Sequence, residues 1–126
     1  MTRRILIAED DGEIRQALAD MLDFAGYAVR AAANGVEALA VLDDWRPDAI
    51  LLDVLMPEMD APAFLAELRA RGQADIPILL ISALRDLAER AASLPVAGSI
   101  AKPFDVDELL AALARLWPPG TGAGAT

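Results

Sequence analysis

Four short apolar runs in this chain each stop at a polar residue, and the four residue types together suit one kind of chemistry. Ile5 to Ala8 leads into Glu9, Asp10 and Asp11; Ala49 to Leu52 into Asp53; Ile76 to Ile81 into Ser82; and Val96 to Ala101 into Lys102. If these runs are neighbouring parallel strands, one edge of a sheet gathers several carboxylates, a hydroxyl and an ammonium. Clustered carboxylates repel one another unless a cation joins them. An all-oxygen set of this charge fits Mg2+, a hard ion that keeps several waters and commonly shares its shell with phosphate oxygens. A carboxylate can also accept a phosphoryl group as an acyl phosphate, and Asp53 is the best-placed nucleophile. Mg2+, Lys102 and the Ser82 hydroxyl would then stabilise the charge that develops on the moving group. A cis bond between Lys102 and Pro103 would turn the ammonium back toward that site.

The rest of the composition narrows the chemistry further. There is no cysteine and no histidine, which excludes disulfides, thiolate metal sites, thiol nucleophiles and imidazole bases. With 20 acidic and 11 basic residues the formal net charge is −9, which opposes direct contact with nucleic acid or anionic membrane. No apolar run approaches the roughly 18 residues of a membrane span, and the first one turns acidic too soon for a secretory signal. A soluble, cytoplasmic protein is the expectation. A length of 126 residues suits one domain with a real core.

Strand-like runs alternate with helical patterns five times, which predicts an α/β fold: a doubly wound parallel sheet with helices on both faces. The first strand is expected over Arg4 to Ala8, followed by a helix with Ile14, Leu18, Met21 and Leu22 on one side and Gly26 as its stop. Tyr27 to Ala32 reads as an edge strand, and Asn34 with Glu37 starts a second helix running to about Trp45. Ala49 to Leu52 and Pro77 to Ile81 are uninterrupted apolar strands of the kind buried on both faces. Between them, Asp60 as N-cap, Pro62 in the first turn and Gly72 as terminator frame a third helix. A short alanine-rich helix is expected over Leu84 to Leu94, a last strand over Val96 to Ala101, and a final helix capped by Asp105 and Glu108. Residues 118–126, rich in glycine and proline, read as a flexible tail after a domain of residues 1–117. Trp45 and Trp117 fall at helix ends, where packing at the edges of the core is the leading reading.

Right-handed crossovers bring the carboxyl ends of all the parallel strands to one edge, where ligands of open sheets bind. With the polar strand ends gathered there, residues 3 to 117 resemble a response-regulator receiver domain of two-component signalling, similar to the chemotaxis regulators of that family. The resemblance rests on Ile5-Leu6-Ile7-Ala8-Glu9-Asp10-Asp11, Leu51-Leu52-Asp53-Val54-Leu55-Met56-Pro57, Ile81-Ser82-Ala83 and Lys102-Pro103-Phe104. It implies a flavodoxin-like five-stranded sheet in the order 2-1-3-4-5. It also implies that Asp53 takes a phosphoryl group from a sensor histidine kinase or phosphotransfer protein. Asp10 and Asp11 would hold Mg2+ together with Asp53 and the backbone carbonyl of Leu55, with Glu9 as their neighbour. Ser82 would be the switch hydroxyl, and Lys102 would pair with the phosphoryl group. The chain would then be a phosphorylated signalling domain rather than an enzyme, assisting its own phosphorylation and dephosphorylation and binding a downstream protein according to its phosphorylation state.

Three positions depart from the family's pattern. Ser99 stands where a swinging aromatic ring is usual, so the switch formed by Ser82 and Ser99 would run by another route. Ala61 replaces a glycine beyond the phosphorylation loop, and the stretch from Ser82 to Lys102 is about two residues short. Leu55 and Leu84, apolar and flanking the path of hydrolytic water by the same resemblance, imply a long-lived acyl phosphate. Two rival readings remain. A haloacid-dehalogenase-like phosphatase would need a second acid two residues after the nucleophile, where Leu55 stands. A receiver-like module that binds partners without being phosphorylated would not need the acidic residues, Asp53 and Lys102 together.

Overall fold

Every residue of two consecutive apolar runs is buried because helices cover both of their faces. The structure, a computed structural model, describes residues 2–54, 56, 59–83 and 87–117. Its strands are β1 (Arg4–Ala8), β2 (Ala28–Ala32), β3 (Ala49–Asp53), β4 (Ile78–Ser82) and β5 (Gly98–Ala101). They alternate with α1 (Gly12–Phe24), α2 (Gly35–Leu42), α3 (Ala61–Ala70), α4 (Leu87–Ala92) and α5 (Val106–Ala114). All pairings are parallel and the order is β2-β1-β3-β4-β5, the flavodoxin-like arrangement expected from the sequence.

The two-residue period of a strand divides the core. Leu6, Ala8, Ile50, Leu52, Ile78 and Leu80 point to one face, where they meet Ala38 and Leu42 of α2 and Phe64, Leu65 and Leu68 of α3. Ile5, Ile7, Ala49, Leu51, Leu79 and Ile81 point to the other, against Leu18 and Leu22 of α1 and Leu109 and Leu113 of α5. Removing a side chain of this size and depth from water contributes about 1.5–3 kcal/mol. These two layers hold the strand ends in fixed register. β1 runs one way to β2 and the chain then crosses to β3 on its other side, so the order reverses between β1 and β3, where an open sheet has its crevice.

The helix ends follow the sequence closely. Asp11, Asn34, Asp60 and Asp105 cap α1, α2, α3 and α5, and Asp105 with Glu108 forms a reciprocal capping box. Gly26 (φ 102°) and Gly72 (φ 74°) take the left-handed conformation just past α1 and α3, which is costly for a residue with a Cβ.

β2 and β4 each start one residue later than expected, at Ala28 and Ile78, and three other boundaries shift by two or more residues. α2 ends at Leu42 rather than near Trp45, because the chain tightens there: the amides of Asp43 and Asp44 reach back three residues, to Ala40 and Val41. The Trp45 amide still donates to the Val41 carbonyl at 3.1 Å, and its indole lies 5.7 Å and 5.0 Å from the guanidinium carbons of Arg4 and Arg30. β5 begins at Gly98 rather than Val96, although the Ala97 amide already donates to the Ile78 carbonyl. α4 ends at Ala92, two residues before Leu94. Residues 84–86 and the tail expected over 118–126 lie outside the described residues. Among the described residues no helix is long and apolar enough to cross a membrane.

At the amino end of the sheet, Tyr27 and Trp117 bring their ring centroids to 6.3 Å, and the Arg3 guanidinium lies 4.2 Å from the indole centroid. Burial raises the Tyr27 phenol above its ordinary value of 10.0, and the charge of Arg3 offsets this only in part. The folded state therefore keeps its proton to higher pH than the unfolded chain. This contribution to stability is complete below pH about 10 and is lost as pH climbs through the folded value. Tyr27 is the one tyrosine in the chain, so phenolate absorbance can be read without overlap. Native protein should ionise at higher pH than the same protein in urea; coincident titrations would contradict this burial.

Candidate functional site

The carboxyl ends of β1, β3, β4 and β5 meet at the crevice as the parallel connections require. In the β1–β3 register Ala8 lies opposite Leu52, so the next residues, Glu9 and Asp53, project on the same side as Ile7 and Leu51. Asp53 and Ser82 are buried, and Glu9 is only 1% exposed. Lys102, just past β5, sends its Nζ to 2.5 Å from Glu9 Oε1 and 3.3 Å from Asp53 Oδ2. Its own amide donates to the Ser82 carbonyl at 2.8 Å, tying β5 to the end of β4. The Lys102–Pro103 peptide bond is cis.

Asp10 is exposed at the rim. One carboxylate oxygen from each of Glu9, Asp10 and Asp53 lies within 4.8 Å of the others, which makes a three-acid cluster among the described residues. The sequence expectation pairs Asp10 with Asp11, whereas the acid that the structure brings together with Asp10 and Asp53 is Glu9. Asp11 is not in the cluster: its Oδ1 accepts from the amides of Glu13 (2.9 Å) and Ile14 (3.1 Å) and is committed to the first turn of α1. Glu9, expected as a neighbour of the site, lies within the cluster. Its Oε2 accepts from the Asp11 amide at 3.2 Å, while Oε1 meets Lys102. Strand alternation was the available signal, since Ile5, Ile7 and Glu9 share a face as Ala49, Leu51 and Asp53 do.

One ammonium faces two buried carboxylates, and burial together with these neighbours shifts Glu9 and Lys102. Burial raises the Glu9 carboxyl above the ordinary glutamate value. The hydrogen bond from Lys102 opposes this, while the neighbouring Asp53 adds to it. For Lys102 burial alone would favour the neutral amine, but hydrogen bonds and charge from Glu9 and Asp53 outweigh it and hold the ammonium above its ordinary value. The site carries more negative charge than its lysine neutralises, and its donors are all oxygens. A hard divalent cation suits it.

Ser99 lies half-buried in β5, paired in register with Leu80. Ala61 is fully buried at the start of α3. Leu55, expected to offer a carbonyl to the metal, and Leu84, expected beside the water path, lie outside the described residues, as does Pro57. Arg15, which the sequence reading passed over, folds back to the same loop: its Nη1 donates to the carbonyls of Glu9 (2.9 Å) and Asp10 (3.4 Å).

A doubly wound sheet with carboxylates, a hydroxyl and a lysine at its switch point is the arrangement of a phosphoacceptor domain. The family model of the response regulator receiver domain matches residues 5–114, and the chain belongs to that family, the phosphoacceptor module of two-component signalling. Among curated proteins it is 42% identical over 129 residues to the response regulator MprA of Mycolicibacterium vanbaalenii, covering 98% of this chain and 55% of the relative. MprA of Mycobacterium tuberculosis is likewise 42% identical, over 92% of this chain and 51% of its own length. The chain thus spans about half the length of the curated relatives it matches.

Among solved structures, the chemotaxis response regulator CheY4 of Vibrio cholerae superposes with a TM-score of 0.85 at 32% identity, covering 93% of this chain and all of the other. The receiver domain of a sensor histidine kinase from Pseudomonas aeruginosa, with a magnesium ion coordinated in its active site cleft, gives a TM-score of 0.82 at 29% identity over 92% of this chain and 98% of that one. The acidic cluster of Glu9, Asp10 and Asp53 is compatible with the same metal.

Proposed function

We propose that Asp53 accepts a phosphoryl group from a phosphohistidine of a sensor histidine kinase or phosphotransfer protein, and that the acyl phosphate controls binding of a downstream protein. The observation that carries this reading is the placement of Asp53: buried at the end of a central strand, at the point where strand order reverses, with the Lys102 ammonium 3.3 Å away. An Asp53 carboxylate oxygen bonds to phosphorus as the donor's nitrogen–phosphorus bond breaks, and the released imidazole carries away that electron pair. Lys102 meets the negative charge that develops on the phosphoryl oxygens, and the Ser82 hydroxyl donates to one of them. Glu9, Asp10 and Asp53 are the residues that would hold Mg2+, which supplies charge neutralisation when bound. The response would pass through Ser82 and β5, where Ser99 offers no ring to reorient.

The expectation that nucleic acid is not a partner concerns this acidic segment alone, since the MprA relatives are nearly twice its length. The test of the main reading is incubation with phosphoramidate, a small phosphodonor, with and without Mg2+. Intact mass should gain one phosphoryl group only when the metal is present, and peptide mapping should place it on Asp53. An unmodified protein, or phosphate on another residue, would leave the domain as a binding module of a different kind.

A further inference from the structure

We infer that Arg15 is a positioning residue for the metal site, holding the Glu9–Asp10 loop so that both carboxylates face Asp53; this rests on the reading of Glu9, Asp10 and Asp53 as the Mg2+ ligands. The loop between β1 and α1 carries two of the three acids on consecutive residues, and little backbone pairing fixes it. The Glu9 amide donates to the Ala32 carbonyl of β2 at 3.1 Å. Beyond that point the Glu9 and Asp10 carbonyls accept from no backbone amide among the described residues. Among the described residues the only donor either one meets is Arg15 Nη1, at 2.9 Å and 3.4 Å. The other terminal nitrogen of the guanidinium lies over Gly12, 3.5 Å from where a Cβ would stand, so both terminal nitrogens lie along the loop. Arg15 is anchored in turn, because its own amide donates to the Asp11 carbonyl at 2.8 Å inside the first turn of α1.

Geometry and charge make opposite demands here, and that makes the role testable. A guanidinium held on the loop that carries Glu9 and Asp10 repels an arriving divalent cation, so a residue acting through charge alone would weaken Mg2+ binding, and its removal would tighten it. A residue that orients the ligands does the reverse. Outer partners of metal ligands are commonly worth 10- to 100-fold in affinity. Glu9 in particular depends on the loop, since its Oε2 accepts from the Asp11 amide, a bond that holds only while the Glu9–Asp11 backbone keeps its turn.

Mg2+ affinity measured by calorimetry on wild type, Arg15→Ala and Arg15→Lys decides the matter. Arg15→Ala should bind Mg2+ about 10-fold more weakly, and Arg15→Lys, which keeps a donor and the charge, should recover most of that loss. In metal-free buffer the Asp11 amide of Arg15→Ala should exchange its hydrogen faster than in wild type, a readout that no charge effect on the ion would move. Unchanged or tighter Mg2+ binding by Arg15→Ala overturns the inference while leaving the metal site intact. Absence of Mg2+ binding by wild type overturns the ligand assignment as well, so the two failures are told apart by the wild-type arm.

Discussion

Asp53→Asn protein, given the same phosphodonor and Mg2+, should acquire no phosphoryl group, and its stability should respond to Mg2+ far less than wild type does. An asparagine keeps the shape of the side chain but offers an amide in place of a carboxylate oxygen, so it supplies neither the nucleophile nor a charged metal ligand. The same substitution should stabilise the metal-free fold. Glu9 and Asp53 are both buried around one ammonium, and the neighbouring Asp53 charge helps push the Glu9 carboxyl upward. Removing one anion relieves that repulsion, so the metal-free variant should unfold at a higher urea concentration than wild type. Urea denaturation of both proteins with and without Mg2+ would measure it. An Asp53→Asn protein that is still phosphorylated, or that gains as much stability from Mg2+ as wild type, would move the site elsewhere.

The second large effect is expected at Lys102. Its side chain is 18% exposed, its Nζ is the ion-pair partner of both Glu9 and Asp53, and the glutamate side chain is 1% exposed. Lys102→Met keeps most of the aliphatic stem and removes the charge, so the comparison isolates electrostatics from packing. Stripping one partner from a buried ionic set commonly costs about 3–5 kcal/mol, and the partial exposure of this lysine places the expectation near ~3 kcal/mol. Mg2+ should restore part of the loss, because a divalent cation among the same carboxylates supplies the missing charge. Phosphorylation at saturating Mg2+ should be slower by roughly 100-fold, the usual scale for removing one group aimed at developing charge. A Lys102→Met protein as stable as wild type in metal-free buffer would show that the ammonium is not the counter-ion of this site.

Much of the fold was legible because its signals are local. Uninterrupted runs such as Ile50-Leu51-Leu52 announce strands covered on both faces, and Asp105 with Glu108 announces a helix start, whatever surrounds them. The boundaries that differed depend on tertiary contact. Nothing within residues 43–45 says that α2 must stop at Leu42; the place of Trp45 beside Arg4 and Arg30 is fixed only when β1 and β2 lie side by side. At the site, the residue types were readable but their assignment within Glu9-Asp10-Asp11 was not settled by counting acids. Asp11 carries a helix-cap signal in its own sequence, as a short acidic side chain immediately before a helical pattern. Glu9 required the parity of β1 to be carried one residue beyond the strand. Arg15 gave no comparable signal, since an arginine six residues from Glu9 on a half-exposed helix usually faces water.

The two tryptophans have a practical meaning for anyone following this protein by light. Trp117 sits against Arg3, just before β1, and Trp45 against Arg4 at the start of β1 and Arg30 in β2. Glu9 follows Arg4 by five residues of extended chain, about 16 Å at the usual rise of a strand. Intrinsic fluorescence therefore reports whether the sheet is assembled and stays dark to events at its far rim. Unfolding can be watched through these rings, while occupancy of the acidic crevice calls for a probe placed at the other end of the strands.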